Sequence, residues 1–112
     1  MSPQVVVQRQ LEAYNNRDLQ RFLAQYSEDI QVFRPPAVMP SIVGKKAFGE
    51  FYATQRFNHT GLHAEVLSRM VLGNKVIDHE RIRGVRAQPF EVAVVYEVHN
   101  GLIECMWGYA AD

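Results

Sequence analysis

The sequence predicts an α+β domain in which three helices pack on a curved, mainly antiparallel sheet, and three observations carry that prediction. The N-terminal half repeats apolar residues at helical spacing, with Leu19, Phe22, Leu23 and Tyr26 forming an i, i+3, i+4, i+7 set. The C-terminal half holds two hairpins back to back, Ala64 to Arg83 turning at Gly73-Asn74 and Val92 to Tyr109 turning at Asn100-Gly101, both with two-residue turn chemistry. At 112 residues and 47% hydrophobic, the chain has length for one core, so residues 1–112 are read as a single domain.

The elements follow in order. Val7, Leu11 and Tyr14 mark a first helix that stops around Asn15-Asn16, residues that prefer turns to helix interiors. Asp18 caps a short second helix carrying the Leu19 to Tyr26 stripe, which Ser27-Glu28-Asp29 breaks. Ile30 to Phe33 alternates as a strand and Pro35-Pro36 ends its pairing. Arg34 to Val43 reads as a loop with three prolines. Gly44 opens a third helix with Ala47, Phe48, Phe51 and Tyr52 on one stripe, running to about Phe57 before Asn58-His59-Thr60-Gly61. Four hairpin strands complete the chain.

Straight-across pairing about the first turn puts Ala64, Val66, Ser68, Met70, Ile77, His79, Arg81 and Arg83 on one face. About the second it groups Val92, Val94, Tyr96, Val98, Ile103, Cys105, Trp107 and Tyr109. If these line the concave side, the wall is apolar and aromatic, with His79, Arg81 and Arg83 as its charged or titratable groups. The opposite face then carries Leu67, Val71, Val76, Ile82, Ala93, Val95, Leu102 and Met106, and an Arg69-Asp78 pair exposed to water. So large an apolar outer face predicts a homodimer.

Twelve basic and twelve acidic residues cancel, so no overall field concentrates the protein on nucleic acid or an anionic membrane. No apolar run approaches the roughly 18 residues of a membrane span, and Met1-Ser2-Pro3-Gln4 lacks the pattern of a signal peptide. A cytoplasmic protein is expected, and the lone Cys105, which cannot form an internal disulfide, fits a reducing compartment.

The element order, together with Ala13-Tyr14-Asn15-Asn16-Arg17-Asp18-Leu19, Tyr26-Ser27-Glu28-Asp29-Ile30, Gly44-Lys45-Lys46-Ala47, Asp78-His79-Glu80-Arg81 and Tyr96-Glu97-Val98-His99-Asn100-Gly101, resembles the SnoaL-like group of the nuclear-transport-factor-like superfamily. The same superfamily holds ketosteroid isomerases, limonene-epoxide hydrolases and scytalone dehydratase. The resemblance implies a cystatin-like conical half-barrel, a bent sheet wrapped on the long helix with a pocket between, and dimerisation through the outer sheet face. It transfers the known activities poorly. The carboxylate base of ketosteroid isomerase falls on Arg34, and the first-helix tyrosine that works with a protonated Asp falls on Gln10. Arg81 matches the epoxide-hydrolase arginine, but Arg83 and Tyr109 stand where its carboxylates would be.

His79, opposite Ser68 and two residues from Arg81, is the expected acid-base residue, since burial and a neighbouring cation both favour neutral imidazole. The competing reading is a core histidine bonded to Ser68 or to buried backbone. Arg81 would stabilise negative charge on a ligand, or pair with an acidic residue from a helix, or reach the rim and stay solvated. Arg83 is read as a rim charge and Arg34 as a loop charge at the cavity mouth. Tyr14, Tyr96, Trp107 and Tyr109 are expected as cavity wall and ligand contacts, and Cys105 as a small inward hydrophobe. Asp78 and Glu80 alternate away from His79, so no metal site and no cofactor is expected. The predicted function is a pocket for a small apolar carbonyl compound, with proton transfer giving isomerisation, cyclisation or dehydration. The alternative is a non-catalytic ligand-binding or dimerisation module.

Overall fold

A proline in the first turn, where a missing N–H costs nothing, opens helix α1 (Pro3–Asn15) in the computed structural model, which describes residues 2–111. The buried stripe of α1 is Val6, Val7, Gln10, Leu11, Ala13 and Tyr14, so one amide is built into an otherwise apolar face. Asp18 caps α2 (Leu19–Leu23) as expected, its carboxylate accepting the backbone N–H of Arg21 at 3.1 Å. The second helix is shorter than its apolar stripe suggested. Tyr26 opens strand β1 (Tyr26–Phe33), and Ser27, Glu28 and Asp29 lie within the strand.

The proline loop closes on a two-residue strand, β2 (Ile42–Val43), absent from the sequence expectation, that pairs antiparallel with β1. Helix α3 (Lys45–Gln55) follows. Strands β3 (His63–Leu72) and β4 (Lys75–Arg83) form the first hairpin, and β5 (Phe90–His99) and β6 (Leu102–Ala110) the second. Among the central turn residues φ is positive at Gly73 alone in the first hairpin and at both Asn100 and Gly101 in the second, the backbones that type II′ and type I′ turns need. The sheet order is β2-β1-β6-β5-β4-β3, antiparallel throughout except where β1 runs parallel to β6. Helices pack on its concave side over a core centred on Phe22, Tyr26, Ile30, Phe48 and Ile103. No described helix is long and apolar enough to cross a membrane.

One extra residue in each hairpin changes which side chains face the helices. The turns are where the sequence placed them, and Ser68 does pair with His79. Beyond that pair Leu67 is unopposed, so Val66 meets Glu80 and Ala64 meets Ile82. Glu104 is likewise unopposed, and Met106 rather than Cys105 stands across from Tyr96. Because side chains alternate, each bulge exchanges the faces of the strand beyond it. Val92, Val94, Tyr96 and Val98 point inward as expected. On β4 the buried set is Val76, Asp78, Glu80 and Ile82, whereas His79 and Arg83 are exposed. Val76, Ile82 and Met106, assigned above to the outer face, belong to the core. Arg69 and Asp78 do pair, but on the inner side with Asp78 at 0% exposure.

Candidate functional site

Alternation along β4 drives two carboxylates under the helices, and their environments differ. Arg69 on β3 donates through Nε to Asp78 Oδ1 at 2.7 Å and through Nη2 to Oδ2 at 2.9 Å, while its Nη1 reaches Gln8 Oε1 at 2.9 Å. This bidentate fork matches the buried charge of Asp78. Glu80 has no such cation. It is 5% exposed, and burial, with Asp78 two residues away, pushes its carboxyl up to about 7 against the pull of a Tyr96 hydrogen bond and of Arg69.

Glu80 is part of the wall of a cavity of about 130 Å³ between α1, α3 and the sheet. Around it stand Tyr14 and Leu11 from α1, Phe51 and Tyr52 from α3, and Val92, Val94 and Tyr96 from β5. A chain of hydrogen bonds ends on the carboxyl. Tyr26 Oη donates to Gln10 Oε1 at 2.8 Å, Gln10 Nε2 donates to Tyr96 Oη at 3.3 Å, and Tyr96 Oη donates to Glu80 Oε2 at 3.2 Å. Each member has one donor spent on the next, so the chain has a direction. No described donor takes Glu80 Oε1, which leaves that oxygen for whatever enters the cavity.

The phenols are poised as neutral donors. Burial, with Tyr52 close by, raises the Tyr14 hydroxyl above its ordinary range although Arg56 pulls it down. Burial pushes Tyr52 up to about 12, with Arg56 and Arg34 opposing. Both are therefore protonated at neutral pH. The cavity opens past Phe51, whose ring carries two guanidiniums: Arg34, 5.7 Å from the ring centroid, and Arg56, 5.3 Å from it. Arg34 follows Ile30 and Val32 on the inner side of β1, just beyond the strand end, and Arg56 caps α3.

The SnoaL-like domain family matches residues 7–106, from the first helix into the last strand. The chain belongs to the SnoaL-like family. No curated protein matches it. Among solved structures it is similar to a candidate ketosteroid isomerase from Kribbella flavida, with a TM-score of 0.84 and 16% identity over 98% of this chain and 78% of that one. A Mycobacterium tuberculosis protein in complex with estradiol-17β-hemisuccinate aligns with a TM-score of 0.81 and 20% identity, covering 96% of this chain and 93% of that chain. A candidate polyketide cyclase from Sinorhizobium meliloti gives 0.79 and 17%, covering 92% of each. At these identities the likeness is one of fold.

Within this SnoaL-like domain the residues singled out from sequence divide into two groups. Tyr14 and Tyr96 line the cavity. His79, Arg81, Trp107 and Tyr109 do not: the bulge at Glu104 turns Trp107 and Tyr109 to the outer face, and the bulge at Leu67 lets Ala64 and Val66 face inward with Glu80 and Ile82 while His79 and Arg81 alternate to the outer face. There His79 is 47% exposed and its Nε2 lies 2.6 Å from Glu91 Oε1, while Arg81 faces Glu91 and Glu65 at 3.5 and 3.6 Å. The expected inward His79 beside Arg81 is thus replaced by a surface ion network, which also holds the Glu91 carboxyl below its ordinary range. Trp107 stacks on Phe33 at 5.5 Å, and Cys105 sits on the same outer side as its partner Glu97. Sequence reasoning missed Glu80, Gln10, Tyr52 and Arg56. The signal for Glu80 was available in β4 itself: Val76 and Ile82 bracket it at even spacing, against Lys75, Arg81 and Arg83 on the other set.

Proposed function

We propose that this SnoaL-like domain binds a small, mostly apolar carbonyl compound in the cavity and moves a proton on it through Glu80. The observation that supports this reading is a carboxyl poised near neutrality at an apolar wall, fixed through one oxygen by Tyr96 and free at the other. As carboxylate, Oε1 accepts a proton from carbon beside the carbonyl; as acid, the same group returns it at a second carbon or to a departing hydroxyl. Tyr14 and Tyr52, neutral at the working pH, are the hydroxyls positioned to donate to an oxygen that gains negative charge. Isomerisation, aldol-type cyclisation and dehydration share this step. The cavity limits the ligand, because about 130 Å³ is well below the roughly 300 Å³ at which pockets for drug-sized molecules begin, and near the roughly 150 Å³ that accommodates a benzene. A single ring fits; a steroid needs the site to expand.

The test is proton exchange, which needs no knowledge of the natural substrate. Cyclic ketones and lactones that bind by ligand-observed NMR are incubated in heavy water, and deuterium uptake beside the carbonyl is followed. Wild type accelerates uptake, and Glu80→Gln lowers the rate about a hundredfold with affinity retained. Equal rates in the two proteins refute proton transfer by Glu80. A binding module is the second reading, favoured by the completeness of the Tyr26-Gln10-Tyr96-Glu80 chain without any ligand: no fully buried side-chain polar atom among the described residues lacks a partner.

The same proposal includes a homodimer through the outer sheet face, in a reducing, cytoplasmic setting that suits the lone Cys105. Its support is the true outer set, in which Leu67 and Met70 are exposed and Ile77, Val95 and Trp107 are partly so.

A further inference from the structure

Of the arginines in this chain, Arg21, Arg69, Arg81 and Arg83 each face a carboxylate within 4.0 Å. Arg34 and Arg56, which line the cavity, face none among the described residues. Arg34 lies over the Phe51 ring and acts on the Tyr52 hydroxyl, while Arg56 spends Nη1 on the Gln55 carbonyl at 2.8 Å and bears on the Tyr14 and Tyr52 hydroxyls. Two cations thus converge on one ring at the open end of an apolar cavity, while the cavity's own carboxylate, Glu80, stands on the sheet. Guanidiniums spread on an aromatic face keep their N–H edges free for a planar anion.

We propose that the ligand of this cavity is a small ring compound bearing a carboxylate, its ring against Tyr14, Tyr52 and Val94 and its carboxylate held at the mouth by Arg34 and Arg56. This rests on the pocket reading above and names its substrate class. The charges account for the orientation. A carboxylate placed toward β4 would meet the Glu80 carboxyl, whereas at the mouth it meets two cations with water close by to complete its shell. The volume agrees, since a single ring fills the interior and the charged group stays outside it. The ring carbon that reacts is then directed at Glu80 by an anchor at the opposite end, so that remote binding energy orients the reacting bond.

The experiment compares matched pairs by NMR titration at low ionic strength: benzoate with benzamide, and phenylacetate with phenylacetamide. At about pH 6 the carboxylate ligands are ionised while Glu80 is mostly protonated, so its repulsion is small. We expect each carboxylate to bind about tenfold or more tightly than its amide, with salt eroding the difference. Arg34→Gln, a change on an exposed side chain, removes most of that preference and leaves amide affinity as it was; Arg34→Gln with Arg56→Gln removes the rest. Amides that bind as tightly as carboxylates overturn the inference and leave the pocket standing. A preference that survives both substitutions overturns it too. If neither class binds, the pocket reading falls and this inference with it.

Discussion

Replacing Glu80 by glutamine tests the site through stability, before any substrate is known. The substitution keeps shape and an acceptor for the Tyr96 hydroxyl but removes the ionisable proton. In the folded protein the Glu80 carboxyl is raised from 4.5 to about 7. At about 1.4 kcal/mol per pH unit, that difference corresponds to about 3 kcal/mol. The sign follows from proton counting: between the two values the native state holds a proton that the unfolded chain has released. The contribution is fully present below 4.5, is lost as pH rises, and is gone once pH has passed about 7. Wild type therefore loses most of about 3 kcal/mol between about pH 5 and about pH 8, a large share of the 5 to 15 kcal/mol of a typical domain. Glu80→Gln lacks this loss. The assay is urea unfolding of both proteins across that range, with ΔG compared at each pH. Taking the difference cancels the four histidines, which both proteins carry. Glu91 and Glu97, whose carboxyls are lowered, lose their contributions only as pH falls below 4.5, outside the window. Parallel stability curves for the two proteins would refute the claim that Glu80 is buried without adequate compensation, and with it the basis for placing chemistry there.

Tyr96→Phe removes the hydroxyl that holds Glu80 Oε2 and accepts from Gln10; the Glu80 titration, read from its carboxyl carbon shift, moves to higher pH, and stability falls by about 1–3 kcal/mol. Arg69→Met leaves the fully buried Asp78 without its cation, costing about 3–5 kcal/mol at neutral pH by urea unfolding. Val95→Asp puts an unpaired charge on the outer face and converts the proposed dimer to monomer by light scattering; a monomeric wild type at micromolar concentration removes the dimer. His79→Gln, on the outer face, leaves deuterium uptake by cavity ligands unchanged, whereas a large loss would return chemistry to that histidine.

The parts of the fold legible in the sequence were those written locally. Asp18 capped the second helix, and Gly73-Asn74 and Asn100-Gly101 turned the hairpins, because each depends on a few neighbouring residues; of the α3 stripe Phe48 is buried and Phe51 and Tyr52 partly so, while Ala47 is exposed. Facing depends on the whole register, and a single unopposed residue reverses it. Leu67 and Glu104 have no local signature as bulges: neither is glycine, and both suit a regular strand. The clue lay in a mismatch between strands. Ala64 and Val66 belong inside with Val76 and Ile82, and straight-across counting from the Gly73-Asn74 turn cannot put both pairs on one face. Of the expected cavity residues, Tyr14 lies on a helix and Tyr96 on β5, which carries no extra residue, while Trp107 and Tyr109 lie past the Glu104 bulge of β6. The short β2 was illegible because two residues carry no periodicity.

The two buried carboxylates of β4 show why the inner face is more than a core. Asp78 and Glu80 are two residues apart on the same strand and face the same way, so burial alone would treat them alike. Arg69 supplies a fork to one and only a distant attraction to the other. Asp78 is thus matched by a cation, and its charge in turn helps keep the proton on Glu80. A fold seeking stability alone would do better with an apolar residue at position 80, since Val92, Val94 and Ile82 already line that wall and Tyr96 could be a phenylalanine. The chain instead keeps a carboxyl, a tyrosine and a helix-borne glutamine in one directed series and leaves the last oxygen facing open space. A buried carboxyl whose surroundings disfavour its charge is the kind of group that exchanges protons near neutrality. Asp78→Asn removes the charge that helps hold the proton on Glu80, so Glu80 titrates at lower pH while its Tyr96 hydrogen bond stays intact, and an unchanged carboxyl-carbon NMR titration refutes the coupling of the two acids.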